Sequence, residues 1–168
     1  MMTAQFTSID LPSWFVLMIP GVPWLLLALW TFLVNALVLF LWLRVVKGKE
    51  WLGIWKSVFP VCWGINLAVD LGLCLLMNGI YFLSAALLQN DPGLHELRMQ
   101  AISFFLGPGF GLIGAIIGAV LTGVLDARFA FRKVPFPDRE KKQGVFLLAL
   151  CCAPWFLAFP FSVLSTIL

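Results

Sequence analysis

Apolar residues fill four stretches of this 168-residue chain, at 22–43, 58–83, 102–125 and 145–168, and shorter polar segments part them. Each stretch is long enough to cross a ~30 Å hydrocarbon core as a helix rising about 1.5 Å per residue. The pattern predicts an all-α integral membrane protein, with four transmembrane helices in an up-down bundle over residues 22–168. Pro23 suits the opening of the first helix, and Trp24 and Trp42 stand near its ends, where aromatic belts gather. Residues 1–21 follow another pattern. Their apolar run, 6–20, is too short to span, is bracketed by Pro12 and Pro20, and carries Trp14 and Phe15, which predicts an interfacial segment lying on the membrane.

The later stretches carry their own punctuation. Apolar character in the second persists to Leu88, so this helix is expected to tilt or to overrun the bilayer. A turn at 89–93 and a short polar surface helix at 94–100 precede the third. That one has Gly107-Pro108-Gly109 in its first turns, which predicts a kink or an interruption. The fourth holds Pro154 and Pro160.

Charge then sets orientation. Arg44, Lys47, Lys49 and Lys56 fall in the 44–57 connection, and Arg128, Arg132, Lys133, Arg139, Lys141 and Lys142 in the 126–143 connection. The 89–101 connection has only Arg98. The positive-inside rule makes the two basic loops cytoplasmic and puts both termini on the other side. Composition agrees with a bilayer-embedded chain: 62% of residues are apolar and 11% charged, against roughly 45–50% and about 25% in soluble domains. Residues 1–10 lack Lys and Arg, so no cleaved secretory leader is expected.

Chemistry is sparse. Cys62, Cys74, Cys151 and Cys152 all sit in apolar runs, as packed thiols do. His95 lies in a polar connection beside Glu96. No haem-ligand, zinc, thiol-redox, hydrolase or phosphate-loop pattern appears, so no enzyme, metal or cofactor is expected. The mixed signs of the 126–143 segment argue against nucleic acid.

Two constellations remain. Around Asp70 every fourth residue is small, polar or sulfur-bearing: Cys62, Asn66, Asp70, Cys74, Asn78. These form one ridge of a helix. Asn35 and Asn66 lie about 12 Å inside their spans by helical rise, with Asp70 one turn deeper. A polar cluster of Asn35, Asn66, Asp70 and Asn78 is therefore expected, either on a transport path or as interhelical hydrogen bonds. On the third span, Gly107, Gly111, Ala115, Ala119 and Gly123 share a ridge of small residues, and Gly114 and Gly118 lie on the next. Such faces pack helices backbone to backbone. The expected role is a non-enzymatic subunit or scaffold of a larger membrane complex, partnered by lipid and by other subunits or copies of itself. The alternative is a small channel or carrier for a proton, cation or solute past Asp70. The stronger packing signals, and Asp70 as the single acid at depth, favour the first.

Overall fold

A computed structural model describes residues 21–89, 95–106, 108–132, 134 and 136–158. The expected interfacial segment, Gly21 apart, lies outside these residues, as do Gly107, Lys133 and 159–168. Among the described residues every regular element is helical, and three helices are long and apolar enough to cross a membrane: Pro23–Lys47, Trp51–Leu87 and Gly109–Ala130.

Helix α1, Val22–Lys47, has proline in its first turn and Arg44 and Lys47 in its last, an arrangement that suits the helix dipole. It stops at Gly48, whose φ of 54° is open chiefly to glycine. A single 3₁₀ turn, Gly48–Glu50, leads straight into α2, Trp51–Gln89. The expected 44–57 loop is thus a correction: three residues make the turn, and the rest extend the two helices. Nothing in 51–57 disfavours helix strongly, and its tryptophans have partners. Trp55 stacks on Phe59 at 4.6 Å, and Trp51 meets the edge of Phe40 at 4.9 Å. At 39 residues, α2 is about 58 Å long by helical rise, well beyond the bilayer core.

Helix α3 covers His95–Leu106 and α4 covers Pro108–Leu125; the break expected at Gly107 falls on a residue outside the described ones. Among the described residues the membrane-length helix of the third stretch runs over Gly109–Ala130 rather than from 102. At its other end α4 does not stop at Leu125. A π-helical turn, Asp126–Ala130, continues it, closed by the Phe131 N–H donating to the Asp126 carbonyl at 3.0 Å. The first residues of the expected charged loop are therefore helix, and Asp126 is buried.

The fourth stretch departs further from expectation. Helix α5, Asp138–Cys151, starts seven residues before 145, with Pro137 ahead of it and Asp138 and Glu140 in its first turn. It ends before Pro154, whose ring cannot continue a helix, and a short 3₁₀ turn, Trp155–Ala158, follows. The Trp155 indole N–H caps the break by donating to the Leu150 carbonyl at 2.7 Å.

Two apolar clusters hold these helices together. One, at the basic end, gathers Leu39, Leu43, Val58, Phe59, Phe131 and Leu148. The other gathers Leu27, Val69, Leu73, Met77 and Leu157. Lys47 ties α1 to α5 at the basic end, 3.0 Å from Glu140 and over the Phe136 ring at 4.8 Å. The small-residue face of α4 is turned inward. A Cβ on Gly114 would meet Met77, and one on Gly118 would meet Pro154 and Leu73. One on Gly123 would stand 3.1 Å from the Ala149 Cβ. Gly111 and Ala115 are buried as well, and Ala119 is half-buried. Ile113, Ile116, Val120 and Val124, on the opposite face, are exposed.

Candidate functional site: a buried acid layer

Between the two apolar clusters lies a polar layer built from three helices. From α1 come Thr31 and Asn35, one turn apart; from α2, Asn66 and Asp70; from α4 and its π turn, Thr122 and Asp126. All six are at most 4% exposed. Helical spacing places each pair on one face, and the short α1–α2 turn brings the first two pairs to the same depth.

The hydrogen bonds run away from Asp70. Asn66 Nδ2 donates to Asn35 Oδ1 at 2.6 Å, and Asn35 Nδ2 donates to the Thr31 carbonyl at 2.8 Å. Thr31 Oγ1 in turn donates to the Leu27 carbonyl at 2.9 Å. Neither of the amide nitrogens that sequence spacing offers to Asp70 is hydrogen-bonded to it. Neither carboxyl oxygen of Asp70 has a hydrogen-bond partner among the described residues, and neither has one at Asp126. Asp126 has the Cys62 thiol beside it, a weak donor that falls short of hydrogen-bond geometry. Cys152 lies near enough to interact with both acids. Cys62 and Asp70 are eight residues apart on α2, roughly 12 Å by helical rise, so the acids stand at different depths, and Cys152 lines the cavity at Asp70.

The expected cluster is therefore met in part. The structure joins Asn35 to Asn66 and turns Asp70 inward, but does not clamp Asp70 between amides. Asn78 is buried two turns further along α2 and donates to its own Cys74 carbonyl at 2.7 Å. Of the basic residues, Arg44, Lys56, Arg128, Arg132, Arg139 and Lys142 are exposed, while Lys47 and Lys141 are half-buried. Among the described residues no Lys or Arg lies in the acid layer. Asp126 escapes a reading by composition because it opens a charged segment. The signal that finds it is spacing: Gly114, Gly118, Thr122 and Asp126 are one ridge.

A water-sized cavity, about 10 Å³, touches Asp70, near the smallest volume that admits a water. Thr31, Asn35 and Cys152 also line it, and exposed Trp30 and Cys151 form its outer rim. The broken end of α5, at Cys151, Cys152 and Ala153, also contributes to its lining. A helix C-terminus, which carries partial negative charge, therefore borders a carboxyl group.

Two expected results test this geometry. A double-mutant cycle of Asn35→Ala and Asn66→Ala, read by unfolding in detergent, is expected to give a coupling of about 0.6–1.7 kcal/mol; no coupling would remove the bond. Cys151 is exposed while Cys62, Cys74 and Cys152 are buried. A membrane-permeant maleimide is therefore expected to label one thiol per folded chain, and Cys151→Ser to abolish the labelling. Comparison with family models, curated proteins and solved structures finds no match for this chain.

Proposed function

We propose that this protein is a small multi-pass membrane carrier that passes protons through the layer containing Asp70 and Asp126. The observation that carries this reading is the pair of buried acids with no hydrogen-bonded partner at any carboxyl oxygen. An isolated carboxylate is among the costliest groups to bury, so each acid needs a positive species held against it. The cavity at Asp70 admits a water-sized species, which favours a proton over a solvated cation or a larger solute. A discontinuous helix whose end faces a buried acid is an arrangement that suits proton or cation binding.

Two acids at different depths change the weighing of a single one. Under this proposal the proton crosses the step between them through the neighbouring polar groups, Cys62, Cys152 and the unpaired Oδ1 of Asn66. In this reading the broken fourth segment completes a four-helix bundle, and the basic ends of α1 and α5 face the cytoplasm. The experiment is proton uptake by liposomes containing the purified chain, driven by a potassium diffusion potential and read with an internal pH dye. Flux above that of empty liposomes, lost in Asp70→Asn, supports the proposal; flux equal to empty liposomes refutes it.

A second reading, a non-enzymatic subunit of a membrane complex, is favoured by Trp30. This residue is 60% exposed and lies well inside α1, away from the interfacial depth that tryptophan prefers. A partner helix over Trp30 would cover it. Gentle extraction that recovers a stoichiometric partner, released by Trp30→Ala, would establish this role.

A further inference from the structure

A trough of about 700 Å³ runs between α4 and α5 on the outside of the bundle. Its floor is made of small residues, Gly123 and Ala127 on one helix and Ala149 on the other, where the two backbones approach closely. Its walls are larger, with exposed Val124 on one side and exposed Phe146 on the other. At one end the apolar lining gives way to Asp138, Lys141 and Lys142. Neither lysine has an ion-pair partner among the described residues, since the ion pair at this end joins Lys47 to Glu140.

We propose that this trough holds one anionic phospholipid, with an acyl chain along the Gly123–Ala149 floor and the phosphate against Lys141 and Lys142. Shape and charge both argue for it. The trough opens sideways between the membrane-length helix that contains α4 and the apolar part of α5, so acyl chains are its immediate surroundings. The lysines stand one helical turn before Val145, which is the step from headgroup to hydrocarbon along α5. A zwitterionic lipid fills the same apolar floor, but its ammonium gains nothing from two cations. The net single positive charge at the trough end favours an anionic over a zwitterionic headgroup by on the order of tenfold.

The test uses the full chain in mixed micelles with equal phosphatidylglycerol and phosphatidylcholine, read by native mass spectrometry. One phosphatidylglycerol is expected to stay bound, preferred by on the order of tenfold. Lys141→Gln with Lys142→Gln is expected to erase the preference while keeping a lipid, and Ala127→Leu, which fills the floor, to release lipid of either kind. Equal retention of the two lipids by the unaltered chain would overturn the proposal, and so would a preference that survives loss of both lysines. Displacement by inorganic phosphate would assign the lysines to a free anion instead. A disulfide-linked dimer formed by Ala149→Cys in a Cys151→Ser background, carrying no lipid, would give the trough to a second copy.

Discussion

Asp70→Asn is expected to lower proton flux by about 100-fold or more, the scale on which a positioned proton-transfer group contributes, while leaving the fold as stable as before. The second half of that expectation separates a carrier from a structural clamp. If Asp70 fixed helix register, its replacement would break hydrogen bonds and lower the melting temperature. Its oxygens accept none among the described residues, so the amide removes an isolated acid and little else. A buried carboxyl group without a partner costs stability rather than supplying it. Asp126→Asn is expected to act in the same direction, because a proton that reaches Asp70 from the basic end passes the π turn first. Stable protein with lost flux in both variants fits the relay. A large drop in melting temperature with flux retained would reverse the assignment and make the acids structural.

The second large effect concerns the inward face of α4. Gly118→Ala is expected to destabilise the folded chain by about 1–3 kcal/mol, the usual cost of forcing a methyl into a filled site. The new Cβ would stand 2.5 Å from Cγ of Pro154 and 2.9 Å from Leu73. A proline ring at a helix break has no rotamer to escape into. Gly144→Ala is expected to do the same, since its Cβ would lie 2.5 Å from the Trp42 ring. Gly114→Ala should cost less, because its closest neighbour is the flexible end of Met77. Thermal unfolding in detergent checks the order Gly118 and Gly144 above Gly114. A Gly118 variant as stable as the parent would mean that Pro154 does not pack there. These glycines are occupied by the chain itself, so loss of a co-purifying protein from a Gly118→Leu variant would report a damaged fold rather than a broken interface.

Hydrophobic length made the three helices long and apolar enough to cross a membrane legible from sequence. The inward turn of Asp70 followed from the cost of exposing it to hydrocarbon. What sequence alone hid was continuity. Charged residues at 44–57 and 126–130 read as loop, yet a helix emerging from a bilayer keeps its hydrogen bonds while its side chains become polar. That is why Asp126 passed for a surface acid. Pro154 was visible, but not its consequence: the fourth segment ends its helix beside Asp70 instead of running through. The direction of the Asn66 amide, toward Asn35 rather than Asp70, depends on side-chain geometry that spacing does not fix.

The three-residue connection Gly48–Glu50 has a bearing on biogenesis. Asn35 and Asn66 are only 31 residues apart in sequence, and a link this short keeps the two helices close from the moment both are made. If these helices cross a bilayer as proposed, the first two are expected to enter it as a paired unit, with their amide contact available before the later helices are made. Local pairings of this kind close early and cheaply. Lengthening the link should slow insertion without altering the finished bundle.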